Sequence, residues 1–280
     1  MFTDRMAPER VGISSLLMAA DSYLDSVPRP DADVVETGAF SLFVSRTPWS
    51  YYARPAISKR HPITASGFET LTGVCDKAEV ELAIEWVHET HPELQQLAAK
   101  FGLPVTRHAL MVLTATDPVH PATPIAKVRI VDAEDPALLQ AQAVAAVSFT
   151  TGGTDAGPAG TADRESAAHA LSPELTAHLR SRAQRGLTIT AVAETDHGVM
   201  AAGCYQPIGD TAEILAVATL PAMRRRGLAA AVTATLTEHA RERGIRLLLL
   251  SAQDDDVARV YQRVGFHRIG TTCAAGPPGA

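Results

Sequence analysis

The most constraining feature of the chain is the run Glu213-Ile214-Leu215-Ala216-Val217-Ala218-Thr219-Leu220, which breaks at Pro221 and gives way, past Arg224-Arg225-Arg226-Gly227, to the helix-forming Leu228-Ala229-Ala230. A strand here delivers the backbone to a helix N-terminus, where the first N–H groups lack internal partners and the helix dipole turns its positive end outward. That geometry binds phosphate. Gly227 and Ala229 are small enough to let a diphosphate approach the amides, and the three arginines add positive charge. Neither GxxxxGK[ST] nor GxGxxG occurs, which separates the run from a Walker loop and from a dinucleotide turn. Taken alone, it reads equally well as a basic helix start with small packing residues.

The rest of the chain supplies an α/β context. Towards the C-terminus the order is strand (Ala126 to Val131), helix (Pro136 to Ser148), a Gly-rich loop (Thr150 to Thr161) and a helix opened by Ser172-Pro173-Glu174. Strands at Leu187 to Ala193, Val199 to Tyr205 and Glu213 to Leu220 form a meander. A helix from Gly227 to Arg243, strand Leu247 to Leu250, helix Asp254 to Val264 and strand Phe266 to Thr272 complete it. A meander followed by β-α-β is a mixed sheet, not a doubly wound one. Nearer the N-terminus, Val11 to Ala20 begins a short helix. Ala39 to Val44 and Ser50 to Ala53 read as strands, with Trp49, Tyr51 and Tyr52 either packing there or closing over a substrate. Asp76 three residues before Glu79 predicts a helix starting near Lys77 and stopping before Pro92. Leu94, Leu97, Ala98 and Phe101 predict another, ended by Gly102, before a strand over Ala109 to Leu113.

The Pro-, Asp- and Thr-rich stretch Thr114 to Pro124 is a connector, so the expected division is 1–118, a smaller α/β domain, and 119–280. Aligning Gly102 with Gly265 makes both halves end in helix, glycine, strand, either as a true repeat or as a coincidence of helix caps. Ala98 then falls opposite Tyr261.

Composition narrows the function classes. The 280 residues are 46% hydrophobic and 20% charged with a formal net charge of -6, a globular balance with no general attraction to nucleic acid or anionic membrane. Cys75, Cys204 and Cys273 have no metal-ligand spacing. No metal, nucleic-acid or membrane partner is expected. A reducing, cytoplasmic location fits, since no spanning run is present and Met1 to Leu17 lacks a signal-peptide core.

Arg224-Arg225-Arg226-Gly227-Leu228-Ala229 resembles the R/Q-x-x-G-x-G/A signature of the GNAT superfamily of acyl-CoA-dependent N-acyltransferases. Asp255-Asp256-Val257-Ala258-Arg259-Val260-Tyr261-Gln262-Arg263-Val264-Gly265-Phe266 is similar to the family's N-x-x-A-x-x-x-Y-x-x-x-G-F pattern, with one residue of spacing freedom and aspartate for asparagine. The resemblance covers roughly residues 125 to 273 and implies a GNAT-like sheet with helices on both faces, the first half being a degenerate copy.

It also implies a site. Backbone groups of Val217, Ala218, Thr219 and Leu220 would bond the acyl carbonyl and pantetheine amides of acetyl-CoA or another acyl-CoA. Amides of Arg225, Arg226, Gly227, Leu228, Ala229 and Ala230 would hold the pyrophosphate, beside Arg224. Tyr261 matches the tyrosine that protonates the departing thiolate. Its plainer reading is a core aromatic. Asp255, lacking amide donors, either keeps a cofactor contact or only caps its helix. A general base is required, and Glu213 is nominated on a face shared with Leu215, Val217 and Thr219, about 13 Å from Val217. Glu194 and His197 are weaker. Cys204 and Tyr205 are candidates for the acyl pocket, without a covalent role. The implied activity is transfer of a small acyl group to an amine. An acyl carrier protein as donor and a non-catalytic acyl-CoA-binding scaffold remain alternatives.

Overall fold

The computed structural model describes residues 12–57, 61–120 and 126–277. Part of the expected N-terminal helix and residues 121–125 of the expected connector lie outside them. In the first half the elements are α1 (Ile13–Ser26), β1 (Ala32–Thr37), β2 (Phe40–Ser45), β3 (Ala53–Pro55), α2 (Ala65–Ala78), β4 (Ile84–Val87), α3 (Glu93–Lys100) and β5 (Val105–Thr114). The second half adds β6 (Lys127–Val131), α4 (Ala137–Phe149), α5 (Thr161–His169), α6 (Pro173–Gln184), β7 (Ile189–Thr195), β8 (Gly198–Ile208) and β9 (Thr211–Thr219). It ends with α7 (Leu228–Glu242), β10 (Leu247–Ala252), α8 (Asp255–Val264) and β11 (His267–Ala275).

All eleven strands join one sheet in the order β1-β2-β3-β4-β11-β5-β10-β9-β8-β7-β6. The two halves therefore do not own separate sheets on either side of residue 118. β5, from before the expected boundary, lies between β10 and β11, while β11 lies between β4 and β5. Each half inserts its last strand into the other half's sheet. The repeat seen in sequence is physical: β4-α3-Gly102-β5 and β10-α8-Gly265-β11 are the same unit, and their final strands pair antiparallel. Gly265 has φ of +123°, and a Cβ there would stand 2.3 Å from the Pro118 carbonyl oxygen, so only glycine fits where α8 ends against the connector.

One helix expectation needs correction. Asp76 to Glu79 closes α2 instead of opening a helix, with Glu79 at φ +55° as its left-handed end. Thr64 caps the start, its hydroxyl accepting from the Gly67 N–H at 3.2 Å. Ile84–Val87, taken for the middle of a helix, is β4. Trp86 and Val87 are wholly buried in the sheet, and tertiary burial overrides the local helical spacing. The short α5 follows the expected Gly-rich loop, in a stretch to which the sequence assigned no element, next to the expected α6 with its Ser172 cap.

The halves are also tied across their faces. Asp31 of the first half pairs with Arg182 of α6, both buried, and Trp49 packs edge-on to His178, ring centroids 4.5 Å apart, beneath the Arg182 guanidinium. Of the two readings of Trp49, packing is the one the structure displays. On α1, Asp21 accepts from Arg54 of β3 at 3.0 Å, while the Tyr23 hydroxyl donates to the Gln206 carbonyl of β8 at 2.8 Å. No described helix is long and apolar enough to cross a membrane.

Candidate active site

β9 and β10 pair in parallel through Leu247↔Thr211, Leu248↔Ala212 and Leu249↔Glu213 and then part. The cause lies partly in β9. Cys204 faces Leu215 and Ala202 faces Ala218, so β9 carries one residue more than β8 between those pairs, with Ala216 at φ +53°. Such a bulge bends the strand and ends regular pairing. From Ile214 onward the β10 side of β9 is an unpaired backbone edge. Between it, β10, α8 and the end of α4 lies a cleft of about 710 Å³, within the range of small-molecule sites.

The bulge also changes which side chains share a face. Tyr205 reaches His239 of α7, and a Cβ on Gly203 would touch Val217 and Val232, so Ile214 and Val217 both face α7. Glu213 and Val217 consequently lie on opposite faces, whereas unbroken alternation places them on one. Glu213 still borders the cleft, where the strands begin to part. Burial, reinforced by the negative charge of Glu85 and offset by Arg54, pushes its carboxyl up to about 8.

Past β9, a 3-10 turn over Pro221–Met223 leads to Gly227 at φ +76° as the N-cap of α7. The first turn of that helix leaves the amides of Leu228, Ala229 and Ala230 without intrahelical acceptors. Leu228 and Ala229 border the cleft, whereas Ala230 packs against the core. A Cβ on Gly227 would meet nothing within 4 Å, so its need for glycine in the free protein is conformational.

Leu220 does not fit the expected ligand role. Its N–H donates to the Met200 carbonyl at 2.9 Å, which takes the donor away from an arm in the cleft, and its carbonyl already accepts from Met223 at 2.7 Å. Arg224 is also differently employed. Its guanidinium donates to the carbonyls of Ser148 (2.8 Å), Thr151 (2.7 Å), Gly152 (3.5 Å), Asp155 (3.0 Å) and Thr219 (3.4 Å). It fastens the loop after α4 to the end of β9. Arg225 and Arg226 are exposed at the turn. Two more bonds stitch the same loop down, from the Gly157 N–H to the Pro221 carbonyl and from the Ala222 N–H to the Ala159 carbonyl.

Across the cleft stands α8. Asp254 caps it, accepting from the Val257 N–H at 2.8 Å, so the capping role proposed for Asp255 belongs to its neighbour. Asp255 borders a small depression with Arg107 and His108 instead of the main cleft, which Asp256 borders. Tyr261 lines the cleft while 7% exposed, its ring edge-on to Phe266, and burial holds its hydroxyl well above the ordinary tyrosine range. It therefore keeps its proton at neutral pH. Cys204, pushed up to about 12 by burial, is likewise a protonated thiol. Arg129 donates to both Glu194 and Asp135, His197 is exposed at the β7–β8 turn, and neither of these weaker base candidates borders the cleft. Sequence reasoning missed Ser148, Gln253, Arg259 and Arg263, which also border the cleft. Only the helical spacing of Arg259 and Arg263 hinted at them.

A sheet opened by a bulged strand and followed by a free helix N-terminus is the fold of the GCN5-related N-acetyltransferases, and solved structures of that fold cover most of this chain. Residues 189–275, from β7 through β11, match the family model described as FR47-like protein. A GCN5-related N-acetyltransferase from Kribbella flavida is 21% identical, with 95% of this chain and 96% of that chain covered and a TM-score of 0.69. A tandem GNAT protein from the clavulanic acid biosynthesis pathway is 14% identical over 96% and 94% of the two chains, with a TM-score of 0.56. A putative acetyltransferase from the GNAT family of Novosphingobium aromaticivorans is 14% identical over 86% and 89%, with a TM-score of 0.51. The comparison with curated proteins yields no match.

Proposed function

We propose that this protein is an N-acyltransferase that moves an acetyl or other small acyl group from acyl-CoA to a small amine by direct attack. The observation that carries the reading is the continuity of one cleft from the unpaired edge of β9 to the free amides of α7. An unpaired strand edge is a template for a peptide-like partner, and pantetheine contains two amides. Free helix-terminal amides suit its diphosphate. The donor supplies an activated thioester; the chain supplies position and proton transfer.

Backbone groups of Val217, Ala218 and Thr219 align the arm, and an N–H at the bulge stabilises charge developing on the thioester oxygen. Tyr261 gives a proton to the departing sulfur as the C–S bond breaks; burial keeps the hydroxyl protonated until that step and disfavours a bare thiolate in the same cleft, which offsets the weaker acidity of the phenol. Glu213, on the opposite face of β9 from Val217, accepts the amine's proton through water. A phosphopantetheine arm on an acyl carrier protein suits the same edge, with exposed Arg225 and Arg226 meeting an acidic carrier. The cytoplasm is the proposed setting.

The test is a thermal-shift series with CoA, acetyl-CoA and longer acyl-CoAs, followed by turnover on a panel of amines. Ligand at about 100 times its Kd adds about 2.7 kcal/mol of stability. Binding without turnover on any amine moves the protein to the scaffold class. Absence of any shift removes the acyl-CoA reading.

A further inference from the structure

The first half reaches the active site from the face of the sheet that α1 covers. Leu17, Ala20 and Leu24 of α1 pack in one cluster with Val87 of β4 and Leu249 of β10. Glu213 pairs with Leu249, and residues paired in register point to one side of a sheet, so its side chain faces α1. Glu85 stands two residues before Val87 and shares that face by strand alternation. The Tyr23 hydroxyl of α1 donates to the carbonyl of Gln206, the residue opposite Glu213 on β8. Asp21, also on α1, accepts from Arg54 of β3 at 3.0 Å, and the same guanidinium donates to Glu85 at 3.1 Å. Arg54 is wholly buried, whereas Asp21, Glu85 and Glu213 are half-buried. One guanidinium thus serves two carboxylates, and the clamp keeps a net negative charge.

The uncharged groups facing Glu213 are Tyr23, Tyr52 just before β3, and Cys204 of β8. Burial holds all three in their protonated forms, and Arg182 of α6 acts on Tyr23 and Cys204. The charges that act on Glu213 are Glu85, which opposes its ionisation, and Arg54, which offsets that opposition.

We propose that the first half completes the active site: Glu85, clamped by Arg54 and Asp21, is a positioning residue that keeps the Glu213 carboxyl ready to exchange a proton with the incoming amine. This role rests on the acyltransferase reading and deepens it by giving the first half a part in the reaction. A neighbouring carboxylate makes a charged Glu213 costlier, and therefore a stronger base once charged. An amine arrives as an ammonium, and a base tuned close to the operating pH takes its proton most effectively. Arg54 alone would cancel Glu85. Because Asp21 claims part of the same guanidinium, Glu85 stays only partly neutralised. In the step itself an ammonium N–H bond breaks, the proton passes through water to a Glu213 oxygen, and it returns to solvent after the product leaves.

The experiment follows Glu213 directly, by difference infrared spectroscopy against pH, using the protonated carboxyl band that Glu213→Gln abolishes. Glu85→Gln keeps an oxygen that accepts from Arg54, so the fold is retained. In that variant the band disappears at lower pH than in wild type. Asp21→Asn moves it the same way by a smaller step, because Arg54 is freed to neutralise Glu85. The rise of kcat/KM with pH follows the band, which makes Glu85→Gln at least about twofold faster than wild type near pH 6. In the Glu213→Gln background the Glu85 change leaves the pH profile of kcat/KM where it was. An unmoved band in Glu85→Gln overturns the proposal, as does a pH shift that persists without Glu213. Should Glu85→Gln lose its fold, the band in Asp21→Asn decides by the same criterion. A moved band in a protein that acylates no amine overturns the acyltransferase reading, and the proton-transfer role with it.

Discussion

Substitution of Gly227 separates backbone strain from ligand contact. The residue stands at φ +76° and ψ +2°, and a Cβ would meet nothing within 4 Å in the free protein. For Gly227→Ala only the left-handed conformation opposes folding, at about 1–2 kcal/mol. The reduced entropy of the unfolded chain returns roughly 0.4–1 kcal/mol of that. The net loss is about 1 kcal/mol, a fall of about 2–4 °C in Tm for a chain of this size class. Asparagine tolerates the left-handed region, so Gly227→Asn stays nearer the wild type in stability. CoA affinity follows a different order. Either side chain enters the open space beside the turn where the diphosphate is proposed to sit, and lowers affinity more than tenfold. Urea unfolding gives the first quantity and calorimetric titration the second. Wild-type affinity in Gly227→Ala refutes the placement of the diphosphate. A stability loss well above 2 kcal/mol refutes the absence of a steric clash.

Three further outcomes are expected. Tyr261→Phe lowers kcat about 100-fold, the usual worth of a positioned acid, while CoA affinity by calorimetry stays within a few-fold. Glu213 has its folded carboxyl near 8, above the 4.5 of a solvated glutamate, so between these values the native state holds a proton that the unfolded state has lost. Stability from this group is therefore full below that lower value and declines as pH rises towards 8. Glu213→Gln flattens that decline in Tm against pH and lowers kcat about 100-fold at high pH. A wild-type rate that does not rise as pH approaches 8 excludes Glu213 as the base. Arg224→Ala releases four carbonyls between Ser148 and Asp155, next to Phe149, a residue 61% exposed. Loss of charged hydrogen bonds raises chymotrypsin cleavage after Phe149 at least about tenfold in the ligand-free protein. Wild-type resistance would show that the loop holds without the clasp.

Much of the second half was legible because its signals are local. Proline and glycine punctuation, strand alternation and the Ser172 cap act within a few residues, and the elements from β7 to β11 lie where those signals place them. The placement of Arg225 to Ala229 at the turn and of Tyr261 on α8 belongs to the same class, since a turn and a helix face fix them relative to their own element. Local reading failed at α2 and β4, where Asp76 and Glu79 imitate a helix start and burial of Trp86 decides for strand. It failed again at Leu220 and Arg224, whose bonding groups are consumed by Met200, Met223 and the 148–155 loop, partners set by long-range packing.

Sequence by itself determined the order of strands and helices from β7 to β11, the turn between β9 and α7 and the match between two helix-glycine-strand stretches. Only the tertiary structure decided that these units trade their final strands, that the bulge at Ala216 sends Glu213 and Val217 to opposite faces, and that Arg224 ties the end of α4 to the end of β9. Strand exchange and side-chain meetings depend on free energies summed over residues far apart in the chain, and no short-range pattern encodes that sum.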